Sequence, residues 1–381
     1  MATTVVERPA VRRPLSSDRR DLVVALAAVW LTAGLFMDGW AHSHVPSLET
    51  FFTPWHGVLY SGYAALAIAL VPARLWRGRP PGPVSAWLPA GYGLGLLGAV
   101  AFAFGGACDM LWHITFGIEV DLEALLSPPH LLLLTAGALM IATPIRAAAA
   151  KGAPQSVYTA AQTPIRAATA TGTPQGAYAA APDPIGAAAT TGGQRGVHAA
   201  VLIAATCGTA IAAFFLDYLS PFTDAPAADS GYGNGQPFGL AEYLVYSLLI
   251  IVAVLFTWSR LRYLPVGLVT LVVAAASLPN GVFDDFENLA AQLWPLLGAV
   301  VADLAVQAVA ARWPRFVPLA VGVLVPFTVW PTHLIGVQMS LGVAWSLELW
   351  SGVIVLTMLA GAAVGGLFLP REGSAIDGRD G

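Results

Sequence analysis

Two stretches of the chain place carboxylates and imidazoles at matching intervals. The first, MDGWAHSHVPSLETFFTPWHGVLYSGYAAL, carries Asp38, His42 and His56; the second, CDMLWHITFGIEVDLEALLSPPHLLLLTAGAL, carries Asp109, His113 and His130. On a continuing helix, an Asp and a His four residues apart lie on one face, one turn apart. His56 and His130 each stand two residues after a proline, at the start of a returning helix, where proline is tolerated. The pattern Asp-x3-His, loop, Pro-x-His therefore brings one carboxylate and two imidazoles to the mouth of each of two hairpins. Such a set suits a divalent transition metal, because imidazole favours zinc, copper, iron or nickel and the carboxylate supplies charge. Met37 and Cys108 precede the two aspartates, and soft sulfur there would favour copper over zinc or iron. Three protein ligands leave a position open for water or substrate. The plainer alternative is that these histidines, with Trp40, Trp55 and Trp112, are interfacial anchors, or that each Asp–His pair caps a helix. Polar groups in or near spans are costly and tend to be functional, and their recurrence at matched positions adds weight to the metal reading.

The correspondence between the hairpins extends further. Leu48-Glu49 matches Leu122-Glu123 and Thr53-Pro54 matches Ser127-Pro128, so the two units read as a parallel internal repeat. Further ligand candidates are His44, Glu49, Glu123, His333 and Asp303. Asp303 falls inside an apolar run, where a carboxyl must be protonated or paired; it marks either a cation path or an interhelical hydrogen bond. Asp284, Asp285 and Glu287 form an acidic group that reads first as a solvated loop.

The elements that position these residues follow from the composition. Of 381 residues, 57% are hydrophobic and only 10% charged, against about 25% charged in a soluble chain. Apolar runs of about 17–23 residues recur, the length that crosses a hydrocarbon core of about 30 Å as helix. The expected fold is all-α and polytopic, with spans near 21–38, 55–73, 86–108, 128–145, 198–218, 239–258, 264–282, 290–311, 316–332 and 347–369. With ten spans, all 18 Lys and Arg residues fall on one side and six of the seven histidines on the other. The positive-inside rule makes the basic side, including both ends of the chain, cytoplasmic, in a plasma membrane. The Arg-rich residues 1–20 have no signal-peptide character, so the first span is expected to be retained.

The expected divisions are a basic arm (1–20), a four-helix unit (21–145), a linker (146–197), a six-helix unit (198–369) and a tail (370–381). The linker repeats at 20-residue intervals, marked by Pro144, Pro164 and Pro184, and its Ala, Thr, Gly and Pro content predicts a disordered spacer. Two cysteines are too few for a disulfide framework. The expected environment is a lipid bilayer, with partner subunits or further copies of the chain as candidate neighbours and no nucleic acid.

Asp-x3-His followed by a His at the head of the next helix resembles the metal-binding pattern of the C subunit of copper membrane monooxygenases, the methane and ammonia oxidisers. The resemblance covers about residues 37–130. It implies copper ligands at Asp38, His42 and His56 and at Asp109, His113 and His130. The chain departs from that family in its larger number of spans, in His44 and in the long linker.

Three functions follow from the sequence. The first is a membrane metalloenzyme of oxidoreductase type, whose chemistry belongs to the metal. The second is a metal or small-solute transporter, in which the histidines and carboxylates collect a cation and Asp303 lies on its route. The third is a haem-binding or scaffold protein with His56 and His130 as axial ligands.

Overall fold

The computed structural model describes residues 13–45, 51–72, 75, 78, 87–117, 121–152, 184–229 and 235–369. Among these residues there is no strand. The main helices are α1 (Asp18–His44), α2 (Pro54–Leu70), α3 (Gly93–Phe116), α4 (Pro128–Ala150, interrupted at Ala142) and α5 (Pro184–Phe215). They continue as α6 (Gly235–Leu261), α7 (Leu268–Ser277), α8 (Leu289–Arg312), α9 (Val317–Ser340) and α10 (Leu347–Leu367). Eight of them are long and apolar enough to cross a membrane. The other two, α2 with 17 residues and α7 with 10, stand where further spans are expected but fall short of about 20 residues.

The helices that carry the Asp-x3-His pairs outrun the apolar segments that announce them. Ser17 caps α1 by accepting the Arg20 N–H, and the helix continues until Val45 turns extended ahead of Pro46. α3 likewise continues to Gly117, whose φ of 89° ends it. The expected ends near 38 and 108 are thus overrun, because no breaker intervenes. Asp38 with His42, and Asp109 with His113, are held on unbroken helix.

Helix pairs adjacent in sequence form tight hairpins. Between α1 and α2, a Cβ on Gly34 would stand 2.8 Å from the Leu59 Cα, and one on Gly62 2.8 Å from the Leu31 Cα. The two backbones touch, and this close approach sets Asp38 opposite His56. In the next hairpin, Gly105, four residues before Asp109, instead makes room for the Leu133 side chain. The six-helix unit uses Gly298 and Gly336 between α8 and α9, and Gly322 and Gly361 between α9 and α10. A ring cluster of Phe36, Phe214 and Phe283, with centroids 5.3–5.8 Å apart, joins α1 to α5 and to the turn before α8.

Helix enters both ends of the stretch expected as a linker, 146–197. α4 runs on to Ala150 and α5 starts at Pro184, since alanine-rich sequence favours helix and proline suits a first turn. Most of the 20-residue repeats, 153–183, lie outside the described residues. Just before them, Lys151 Nζ lies 2.6 Å from both Asp18 and Asp21, and Asp21 accepts from Tyr92 at 2.6 Å and Ser16 at 2.9 Å. This clip ties α1, α3 and α4 together at the arginine-bearing end.

Candidate metal centre

At the opposite end, α1, α2, α3 and α4 bring all six Asp/His residues into one cluster. The sequence predicts one set at each hairpin mouth; the structure joins the two. His42 Nε2 and His56 Nε2 lie 3.8 and 3.6 Å from Asp38 Oδ2. His113 Nε2 and His130 Nε2 lie 3.4 and 3.0 Å from Asp109 Oδ1. The rings of His42 and His56 are 5.7 Å apart, those of His56 and His113 6.3 Å, and those of His42 and His113 6.4 Å. Two groups have ligand atoms mutually within 4.8 Å: Asp38, His42, His56 and His56, Asp109, His113. His56 belongs to both.

These separations are compatible with a shared ion as well as with Asp–His ion pairs. Ligands about 2.0–2.2 Å from a metal at tetrahedral angles stand about 3.3–3.6 Å from one another. Three of the four Asp–His distances, 3.4, 3.6 and 3.8 Å, fall at or near that spacing and beyond a good hydrogen bond. Asp38 Oδ1 and His42 Nδ1 are buried without a hydrogen-bond partner, a condition that native structures rarely tolerate. The floor of the site is dry: the Asp109 and His113 side chains are each 2% exposed, whereas His42 and His130 are 19% and 21% exposed at its rim.

The nitrogens facing away from the carboxylates are also held. His56 Nδ1 lies 3.0 Å from Thr53 Oγ1, which also caps α2 by accepting the His56 backbone N–H at 3.1 Å. His130 Nδ1 lies 2.9 Å from Ser127 Oγ, and His113 Nδ1 lies 3.2 Å from the Gly117 carbonyl. A carbonyl can only accept, so this contact places a proton on His113 Nδ1, and in the neutral ring Nε2 is then the atom free to act as a ligand. The hydroxyls of Thr53 and Ser127 can impose the same tautomer on His56 and His130. Such outer contacts orient metal-binding imidazoles. Sequence reasoning matched Thr53 with Ser127 but gave neither a role; a hydroxyl three residues before a histidine at a helix start was the available signal. Tyr60 was missed altogether. Its buried hydroxyl has no partner, and its ring lies 6.2 Å from that of His56.

The other candidates stand elsewhere. His44 stacks on Trp40 and pairs with Asp285 at 3.7 Å. His333 is fully buried among aromatic rings, with Nδ1 2.9 Å from the Ala291 carbonyl and Nε2 3.1 Å from the Tyr243 hydroxyl. Asp303 accepts from the Thr270 N–H at 3.3 Å and its hydroxyl at 3.2 Å, capping the start of α7, which is the interhelical hydrogen-bond alternative. Met37 is 42% exposed, and both cysteines are free and outside the metal-spaced groups. Glu49 and the side chain of Glu123 lie outside the described residues.

The cluster opens on a cavity of about 670 Å³. Asp38, His42, His56, Asp109 and His130 line one part of it; Leu31, Leu59, Phe102, Leu133, Phe214 and Phe283 form mostly apolar walls, and Asp217 and Tyr218 face it from the second unit. A cavity of this volume holds a small organic molecule beside the imidazoles.

No family model, no curated protein and no solved structure matches this chain.

Proposed function

We propose that this chain is a plasma-membrane metalloenzyme of oxidoreductase type, holding a transition metal, copper first and zinc or iron next, between its first two helical hairpins. The observation that carries the reading is the convergence of Asp38, His42, His56, Asp109, His113 and His130 at metal-ligand spacing, with His56 common to two groups. A bound metal would supply Lewis acidity or redox chemistry at an open coordination position. The chain itself supplies the rest. Thr53, Ser127 and Gly117 fix the imidazoles, the two carboxylates balance the charge, and the apolar cavity excludes water from one side of the site. The parallel with the C subunit of copper membrane monooxygenases supports copper, and it adds partner subunits as candidate neighbours.

In this reading the cluster faces outward and both ends are cytoplasmic, supported by the segregation of all 18 basic residues from the histidines. The matching offsets of Gly34–Asp38 and Gly105–Asp109 support the two hairpins as copies of one unit. Transport is the weaker reading, because Asp303 is engaged with Thr270 rather than set on a path from the cluster. Haem fits less well, because His56 and His130 direct their Nε2 atoms at separate carboxylates.

Elemental analysis of the detergent-purified chain tests the proposal. About one or two equivalents of metal per chain, lost in the His42→Ala/His56→Ala double variant, is the expected result. A wild-type chain that neither carries nor takes up metal would overturn it.

A further inference from the structure

The cavity beside the histidine cluster is graded along its length. Three of its helices each contribute a polar residue at the cluster and a second residue seven positions away on the same face. These pairs are Asp38 and Leu31 on α1, Asp109 and Phe102 on α3, and His130 and Gly137 on α4. α1 and α3 run toward the cluster and α4 runs away from it, so Leu31, Phe102 and Gly137 all lie on the deep side. Seven residues make about two turns, which sets this lower ring about 10 Å further into the bundle. Leu133 and Ile211 add to its apolar walls, whereas Asp217 joins the acids of the upper end.

Gly137 shows that the deep end is space rather than packing. A Cβ at Gly137 would meet Phe102 Cε2 at 3.8 Å, an ordinary contact, whereas a Cβ on Gly34 or Gly62 would stand 2.8 Å from the facing backbone. Just below, α3 closes on α4: a Cβ on Gly98 would stand 2.7 Å from the Ala136 carbonyl oxygen and 3.1 Å from Met140 Cγ. The cavity therefore has a floor, and with it a length.

This gradient selects an occupant and its orientation. A polar group set against Leu31 and Phe102 would lose its hydrogen bonds to water without replacement, so the polar end belongs at the cluster and the apolar end at Gly137. Three carboxylates, Asp38, Asp109 and Asp217, line the cavity and no Lys or Arg does, which disfavours an anionic head. A hydroxyl suits the upper end, because it can donate to a carboxylate and still offer a lone pair. An extended chain advances about 1.2 Å per bond, so a depth of about 10 Å takes about eight carbons. We propose that the cavity binds an uncharged medium-chain alcohol, its hydroxyl at the histidine cluster and its tail against Gly137. The inference rests on the metal-centre reading for the chemistry at the hydroxyl end, and it names the substrate class of that site.

The test uses the full chain in phosphatidylcholine nanodiscs and an n-octanol analogue with a diazirine at the end of its tail. Illumination is expected to label the region of Leu133, Gly137 and Ile211, with labelling suppressed by excess n-octanol but not by octanoate at equal concentration. In Gly137→Leu, labelling by this probe should fall at least about tenfold, the worth of roughly two buried methylenes. An n-butanol probe with the same reactive group should label that variant as it labels wild type. The milder Gly137→Ala should shift the preference in the same direction. Labelling confined to lipid-facing residues such as Leu97 and Phe104, which are 58% and 65% exposed, would overturn the proposal. So would equal protection by octanoate, or n-octanol labelling unchanged in both Gly137 variants. Metal analysis of the same sample separates the two readings. A metal-free chain with protected labelling in the cavity supports the alcohol site and counts against the metalloenzyme, whereas a metal-bearing chain without it refutes the alcohol site alone.

Discussion

Thr53 and Ser127 occupy matching positions but do unequal work, and this difference makes a sharp prediction. Both hydroxyls contact the Nδ1 of the histidine three residues on, at 3.0 and 2.9 Å. Only Thr53 also caps its helix, accepting the His56 N–H at 3.1 Å; Ser127 makes no such bond. Loss of an outer contact to a metal-binding histidine weakens metal affinity by about 10–100-fold. Loss of an N-cap costs about 1 kcal/mol of stability. Thr53→Ala is therefore expected to lower metal affinity by about 10–100-fold and to destabilise the metal-free protein by about 1 kcal/mol. Ser127→Ala is expected to weaken affinity to a similar extent while leaving the metal-free protein nearly as stable as wild type. Competition titration against a chelator of known affinity reads the first quantity, and denaturation of the stripped protein in detergent reads the second. If both variants bind metal as tightly as wild type, Thr53 and Ser127 do not orient ligands and the assignment of the imidazoles fails with them. If the two variants lose equal metal-free stability, the division between cap and outer contact is refuted.

Three further outcomes follow from the same geometry. His56→Ala is expected to abolish tight metal binding at both groups, whereas His130→Ala leaves the Asp38, His42, His56 group intact; metal stoichiometry by elemental analysis distinguishes them. Asp303→Val, which strips the cap from α7, is expected to cost about 1–3 kcal/mol with metal content unchanged; a drop in metal content would return Asp303 to the site. Lys151→Met breaks a half-buried carboxylate clip and is expected to cost up to about 3 kcal/mol, read by denaturation. Burial alone lowers the Lys151 pKa, but the hydrogen bonds that Lys151 donates to Asp18 and Asp21 outweigh it and the net shift is upward. The stability that this shift contributes is fully present below the ordinary lysine value of 10.5 and is lost as the pH rises through the raised value. A wild-type chain with the same alkaline profile as Lys151→Met would contradict the clip.

The membrane character of the fold and the identity of the clustered residues were legible in the sequence for local reasons. Apolar run length marks a spanning helix, and a four-residue Asp–His spacing needs only unbroken helix, which Val45 and Gly117 delimit. The merging of the two sets was not legible, because it depends on how one hairpin docks beside the other, which no local pattern encodes. His333 and Asp303 show the same limit from the other side. A buried histidine with both nitrogens engaged, and a carboxyl capping a neighbouring helix, look in sequence like candidate ligands. Their partners Ala291, Tyr243 and Thr270 lie 42, 90 and 33 residues away. The helix at the start of the 146–197 stretch was not legible, because Ala, Thr, Gly and Pro content without an apolar face points to a spacer, whereas the alanine-rich residues up to Ala150 hold helix.

The central claim is that six side chains from two hairpins form one imidazole–carboxylate metal centre. Copper K-edge X-ray absorption on the copper-loaded, purified chain tests it most directly. The account predicts nitrogen and oxygen scatterers at about 2.0 Å with the outer-shell pattern of at least two imidazoles, and no sulfur at about 2.3 Å. A sulfur shell, or copper without imidazole scattering, would contradict it.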